Sequence, residues 1–400
     1  KSAMDTVIIK IYGLDKFRIT LPSMFVPEFV VRKYGDLSLT ERTSQASVRP
    51  YLRRFILKPP YQRDEYLPGV EIFEKIAEDR ASLQYILQSD FSVPKLLYRN
   101  SLQEVIEEDR DAVFLKLKSS LVSVGIFTEI PHIAGARGTT VHFCKNAFLP
   151  KTLRIEKILD ELFMVDISKV VDIDSKETKQ GGRMLNLYSG TKEREINEKI
   201  SDAMRPKNKR KDKSHIDHER EIIEQYSLQD RQVFRYEYRI KKTQTVMSEI
   251  NAALSRDYKT PVSFKDLFTP GLFKTMVLKS WRKIIQRPEN QLALMDPGDT
   301  LVLLLHILSE AYKSGTSAHS LNKALVSYGL ARVIKDHGAK QARELVFSVW
   351  NSDHPERLTR KIEVAADLMR GIPYSNGIAF VDKAIEEFKP ITLDSLRDIL

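Results

Sequence analysis

The chain has 400 residues, 42% of them hydrophobic, with 64 Lys plus Arg against 54 Asp plus Glu and a formal net charge of +10. That length argues for two or three domains with real cores, and the charge favours a polyanionic partner. A single cysteine, Cys144, excludes an internal disulfide and a cysteine-rich zinc site, and fits a reducing cytoplasm.

In chain order, Lys1-Ser2-Ala3 reads as a remnant ahead of a native start at Met4, with no signal peptide. Val7 to Tyr12, Val70 to Ile76 and Leu83 to Phe91 read as strands, the last closed by Pro94. Helical periodicity runs from Leu102 to Val124 and stops at Gly125. Strand character resumes over 138–143, Leu153 to Phe163 is an amphipathic helix, and Gly181-Gly182 opens another extended pair. Residues 203–232 form a charged excursion, helical or partly disordered. From Ser263 the pattern becomes helical, with helices expected at 272–285, 300–312, 320–336, 339–350 and 355–369. The turn at Asp336-His337-Gly338 reads as bundle packing in preference to a helix-turn-helix. The longest apolar run, Thr300 to Ile307, falls far short of the ~20 residues a bilayer span needs. No internal repeat is legible.

The segment 233–242, Val-Phe-Arg-Tyr-Glu-Tyr-Arg-Ile-Lys-Lys, carries the strongest signal. As a strand it places Phe234, Tyr236, Tyr238 and Ile240 on one face and Arg235, Glu237, Arg239 and Lys241 on the other. The tyrosines read as core in preference to base-stacking groups. A carboxylate between two arginines suits a divalent cation with phosphates beside it; the competing reading is an ion-pair ladder on a solvated face. Upstream, six of the nine residues from Arg205 to Lys213 are basic, among them Lys207, Lys209, Arg210 and Lys211. Together these point to a nucleic-acid backbone.

Several sites are absent: a Walker loop, a Rossmann glycine fingerprint, a His-Glu-x-x-His helix, and a His-hydrophobe-His pair of the common DNA-nicking relaxases. His215 and His218 read as solvated, while His132 and His142 have no local partner. Asp166, Asp172 and Asp174 read as turn or cap residues.

Asp90-Phe91-Ser92-Val93-Pro94-Lys95-Leu96-Leu97-Tyr98-Arg99-Asn100 resembles a signature of replication initiators related to the filamentous-phage gene II/X family, rolling-circle proteins without the histidine pair. The likeness continues at Tyr66-Leu67-Pro68, 141–146, Asp166-Ile167-Ser168, 235–239 and 264–268, and so spans most of residues 4–290. The resemblance implies binding to origin DNA, as a hairpin or single strand, and nicking by a tyrosine that becomes a phosphotyrosine. Mg²⁺ or Mn²⁺ would assist, with a host helicase or polymerase as later partner. By position it assigns Asp90, Glu198 and Glu237 to the metal, and Arg235, Arg239, Lys241 and the 205–213 tract to the backbone. The family's Tyr-Asp-Lys run falls on Asn197-Glu198-Lys199, so the tyrosine position holds asparagine. A second register uses Tyr188 with Glu193.

The expected fold is α+β: a mainly antiparallel, nuclease-like domain over 4–260, followed by an all-α domain over 262–400. The expected function is a cytoplasmic rolling-circle initiator-like protein. A nuclease-inactive DNA-binding protein of the same fold, or a transposition or defence protein, is the alternative.

Overall fold

The structure is a computed structural model that describes residues 4–19, 25–28, 51–57, 66–76, 83–165, 172–177, 183–189, 191–198, 200, 216–296, 298, 300–313, 318–350 and 355–397. In chain order the strands are β1 (Met4–Tyr12), β2 (Arg18–Ile19), β3 (Phe25–Glu28), β4 (Tyr51–Leu57), β5 (Gly69–Ile76) and β6 (Leu83–Ser92). They continue as β7 (Ile126–Phe127), β8 (Arg137–Phe148), β9 (Asp172–Glu177), β10 (Arg183–Ser189), β11 (Lys192–Glu198) and β12 (Val233–Ile240). All but β2 and β7 join one antiparallel sheet in the order β3-β4-β5-β6-β1-β8-β12-β11-β10-β9. The chain is therefore α+β with a helical C-terminal region.

The sheet contains a duplication that no sequence period announces. β1 leads into the β3–β6 meander, whose last strand returns to pair with β1, and a helix begins at Val93. β8 leads into the β9–β12 meander, whose last strand returns to pair with β8, and a helix begins at Thr243. β1 and β8 pair antiparallel at the centre, with Val7 opposite Val141. In this arrangement Phe91, opposite Val7, matches Ile240, opposite Val141. Gln88 then matches Glu237, and Asp90 matches Arg239. The halves share a path through space but not their side chains, so composition and periodicity are blind to the repeat.

The helices are α1 (Val93–Tyr98), α2 (Arg110–Ser123), α3 (Ile130–Ala134), α4 (Ile155–Phe163), α5 (Ile216–Gln225), α6 (Thr243–Ala253) and α7 (Leu272–Ile285). Then follow α8 (Pro288–Leu294), α9 (Thr300–Lys313), α10 (Ala318–His337), α11 (Ala339–Trp350), α12 (Pro355–Leu368), α13 (Asn376–Glu387) and α14 (Leu393–Arg397). Helix α2 begins eight residues later than periodicity suggests. The Asn100 side chain takes the Leu102 and Gln103 N–H groups, and Asp109 Oδ2 accepts from Ile106 N, so local side-chain bonds hold 102–106 outside the helix. Pro94 opens α1, in keeping with proline's tolerance in a first helical turn.

One face of the sheet is apolar. Val7, Ile9, Leu87, Phe91, Val141, Phe143, Leu185, Ile196 and Tyr236 pack there with α2, α4, α6, α7 and α13. The core crosses the 260/262 boundary expected from composition: Phe264, Phe273, Trp281, Ile378 and Val381 belong to it. A second cluster joins α8 to α12, and a third joins Leu102, α5, Val233 and Ile391.

Candidate functional site on the polar face of the sheet

Strand β12 alternates as its sequence requires. Tyr236 and Tyr238 are buried toward the helices: Tyr236 Oη and Ser280 Oγ share a hydrogen bond (2.8 Å), and the ring stands edge-on to Trp281 at 5.4 Å. Arg194 lies over Tyr238 at 5.5 Å and donates to Ser280 Oγ. These tyrosines are core, as the alternation suggests.

The opposite face carries the charge. Arg235 is 2% exposed and Glu237 4%, so this is no solvated ladder, and Arg235 is closed to the nucleic-acid backbone it was expected to hold. Arg235 donates through Nη2 to Asp5 Oδ1 (2.8 Å), through Nε to Glu237 Oε1 (2.5 Å) and through Nη1 to Asn146 Oδ1 (3.0 Å). Arg239 reaches Glu237 Oε2 and Glu195 Oε2, both at 2.6 Å, and Glu193 Oε1 at 3.5 Å. Lys241 pairs with Glu193.

Register explains the arrangement. Glu237 stands between Glu195 and Cys144, and Arg239 between Glu193 and His142. Two carboxylates opposite each other would repel; Arg239 bridges them. Four carboxylates (Asp5, Glu193, Glu195 and Glu237) meet three cationic side chains (Arg235, Arg239 and Lys241) among the described residues, which leaves the ledge short of positive charge.

The side chains of Asp5, His142 and Glu237 each present a ligand-type atom within 4.8 Å of the others. Burial pushes the His142 imidazole down to about 4, overriding Glu237, Asp5 and Glu193, which would raise it; Arg239 adds to the lowering. The ring is therefore neutral and ligand-competent at pH 7. Burial would raise Glu237, but Arg235 and Arg239 outweigh it and hold the carboxyl well below the carboxylate range. Glu195 moves the other way, raised by burial and by Glu237. The two oxygens of each ionised carboxylate offer about four lone-pair sites. Guanidinium contacts thus leave room for a cation on Asp5 and Glu237.

The residues expected to share a metal do not converge. Asp90 lies on β6, three strands from β12, a distance of about 14 Å at ordinary strand spacing. It is exposed, and partial desolvation followed by Glu71 raises its carboxyl. Glu198 sits opposite Phe234 and accepts from Ile200 N (2.9 Å) and Val233 N (3.1 Å), so it closes the far end of the strand pair. Only Glu237 of the three stays at the site.

Asn197 pairs in register with Arg235, and its Nδ2 donates to Glu195 Oε1 (2.5 Å). Tyr188 stands opposite Glu193 in the row that continues through Arg239 to His142. Residues 192–198 form a strand, paired with β10 and β12. Lys199, Arg205, Lys207, Lys209, Arg210 and Lys211 lie outside the described residues, as do His215 and Asp166. His218 pairs with Glu221 on α5, in keeping with a solvated role.

Asp5, His142, Glu195 and Asn146 join the site without having been singled out for it, and Glu193 joins it having been named only as the acid beside Tyr188. Their signal was present as a second alternation, Glu193-x-Glu195-x-Asn197, complementary to Arg235-x-Glu237-x-Arg239. Among the described residues no helix is long and apolar enough to cross a membrane. No protein-family profile, curated protein or solved structure matches the chain.

Proposed function

We propose that this protein is a rolling-circle initiator-like DNA-processing protein whose polar sheet face receives a phosphodiester beside a divalent cation. The observation that supports the reading is the Asp5–His142–Glu237 triad, gathered within 4.8 Å from three different strands and flanked by two arginines. Two carboxylate donors with one imidazole suit Mn²⁺ better than Mg²⁺, whose preferred ligands are all oxygen. A cation held by these residues would polarise a phosphate and stabilise charge on the leaving oxygen. Arg235 and Arg239 fix the two carboxylates, and Lys241, 48% exposed, faces outward to meet the backbone. Tyr188, the tyrosine of the second register, is the candidate nucleophile; on β10 it stands three strands, about 14 Å, along the register row from His142. A second reading, a nuclease-inactive DNA-binding protein, draws on Asn197. That side chain cannot form a phosphoester, and it is already engaged with Glu195.

Incubation of the full chain with end-labelled single-stranded and hairpin DNA and Mn²⁺ tests both. The nicking reading expects a denaturation-resistant protein–DNA adduct that vanishes in Tyr188→Phe. Mn²⁺ affinity, followed by titration calorimetry, should fall at least about tenfold in His142→Gln, a loss of roughly 1.4 kcal/mol. His142→Gln is the sharper metal probe, since Glu237→Gln also disturbs a buried pair worth about 3–5 kcal/mol when broken. Binding without an adduct in the wild type, with cleavage gained in Asn197→Tyr, selects the inactive reading. Unchanged Mn²⁺ affinity in His142→Gln removes the metal site.

A further inference from the structure

The outer side of α7 carries a charge pattern that the sheet site does not use. Its inner side, with Phe273, Met276 and Trp281, packs into the core. Its outer side, from Thr275 to the helix end at Ile285, about 15 Å at the usual rise, lines a groove of about 830 Å³ that continues to Arg287. Lys279, Arg282, Lys283 and Arg287 all face this groove.

The counter-charges lie at the rim of the groove. Glu249 is shared between Lys192 and Lys279, Glu386 meets Arg282 at 3.2 Å, Glu289 meets Arg287 at 3.8 Å, and Asp382 also feels Arg282. None of these carboxylates lines the groove, whereas four cations do. Lys283 makes no ion pair within 4.0 Å among the described residues. Partial burial pulls its pKa down; Glu249 opposes this, while Lys192, Lys279 and Arg194 add to the lowering. Exposed pairs such as Arg282–Glu386 contribute little and exchange readily for a phosphate.

We propose that the outer groove of α7 is a phosphate-backbone binding surface for a nucleic-acid strand. The spacing fits: Lys279, Arg282 and Lys283 line about 6 Å of α7, and Arg287 beyond its end extends the row, room for at least about two phosphates along a stacked strand. Because α7 lies on the opposite face of the sheet from Asp5, His142 and Glu237, the groove grips a segment distant from the proposed cleavage point. The surface does not depend on the sheet chemistry.

The test is fluorescence anisotropy of a labelled oligonucleotide of about 20 nucleotides against the full chain, across about 50–200 mM salt. The variant Arg282→Gln/Lys283→Gln/Arg287→Gln is expected to bind at least about tenfold more weakly. Its log K against log salt slope should be shallower by about 2, the value for three lost contacts on a single strand. A control, Lys340→Gln/Lys383→Gln/Lys389→Gln, removes the same charge elsewhere and is expected to stay within about twofold, with thermal melts confirming that both fold. Equal losses in the two triples reduce the effect to net charge and overturn the proposal. So does unchanged oligonucleotide binding, with or without a loss of binding to phosphatidylserine vesicles. If the wild type binds oligonucleotide and the first triple is unaffected, the groove fails while the sheet site stands. No oligonucleotide binding by the wild type defeats both.

Discussion

Glu237 illustrates how a single residue's role depends on what is packed over it. On an exposed strand it would form weak ion pairs; enclosed by Arg235 and Arg239 it is held ionised against its own desolvation. Asp266 works by the same balance at a structural point. Its Oδ2 accepts from Ser263 N (2.8 Å) and Oγ (2.7 Å), and its Oδ1 from Arg256 Nη1 (2.9 Å). Burial would raise the carboxyl, but these bonds outweigh it and hold it below its ordinary value of 3.8. A depressed folded-state value means the stabilisation is complete above 3.8 and disappears as pH falls through the folded value. Asp266→Asn should therefore cost about 1–2 kcal/mol in urea melts at pH 7. The gap between variant and wild type should close as pH drops below 3.8. A gap independent of pH would show that the carboxylate charge contributes nothing.

At the scale of elements, strand ends and helix starts carry the architecture. Phe264 and Phe268, set by the turn that Asp266 caps, stack with Phe114 at 5.1 and 5.7 Å and join α2 to the sheet. Gly338 separates α10 from α11 at φ +84°, and an added Cβ would lie 3.2 Å from the Met164 carbonyl oxygen. That same oxygen accepts from Ala339 N at 3.0 Å, so the helix corner rests directly on the end of α4. The geometry belongs to helix packing, in line with the bundle reading of Asp336-His337-Gly338. Gly338→Ala should lower stability by about 1–2 kcal/mol for the left-handed backbone alone. DNA affinity should be unaltered, as read by a thermal melt beside an anisotropy titration. A selective loss of DNA binding would instead favour a recognition role for this turn.

For the whole molecule, the duplicated sheet concentrates its chemistry in the second half. Where that half has Glu237 and Arg239, the first has Gln88 and Asp90, and the charged ledge described on β8, β11 and β12 takes Asp5 of β1 as the first half's contribution. Helices from the C-terminal region then complete the core. A fragment of residues 4–260 lacks Phe264, Phe268, Phe273, Trp281, Ile378 and Val381. It should not unfold cooperatively, because each missing large side chain exposes apolar surface worth roughly 1.5–3 kcal/mol. Cooperative urea unfolding of that fragment, with near-wild-type near-ultraviolet dichroism, would instead make the sheet an independent domain.

Local order was written plainly in the chain. Alternation in Val233–Ile240 placed both faces of β12, and the helical period of Leu272–Ile285 located α7 to the residue. These depend on neighbours within a few positions, where side-chain direction follows directly from backbone geometry. The assembly of the site was not legible in this way. Asp5 and His142 meet Glu237 only because β1, β8 and β12 are adjacent, which requires a long return path through two meanders. Pairings between distant strands are selected by the packing of the entire sheet, so no local pattern of residues specifies which acids become neighbours.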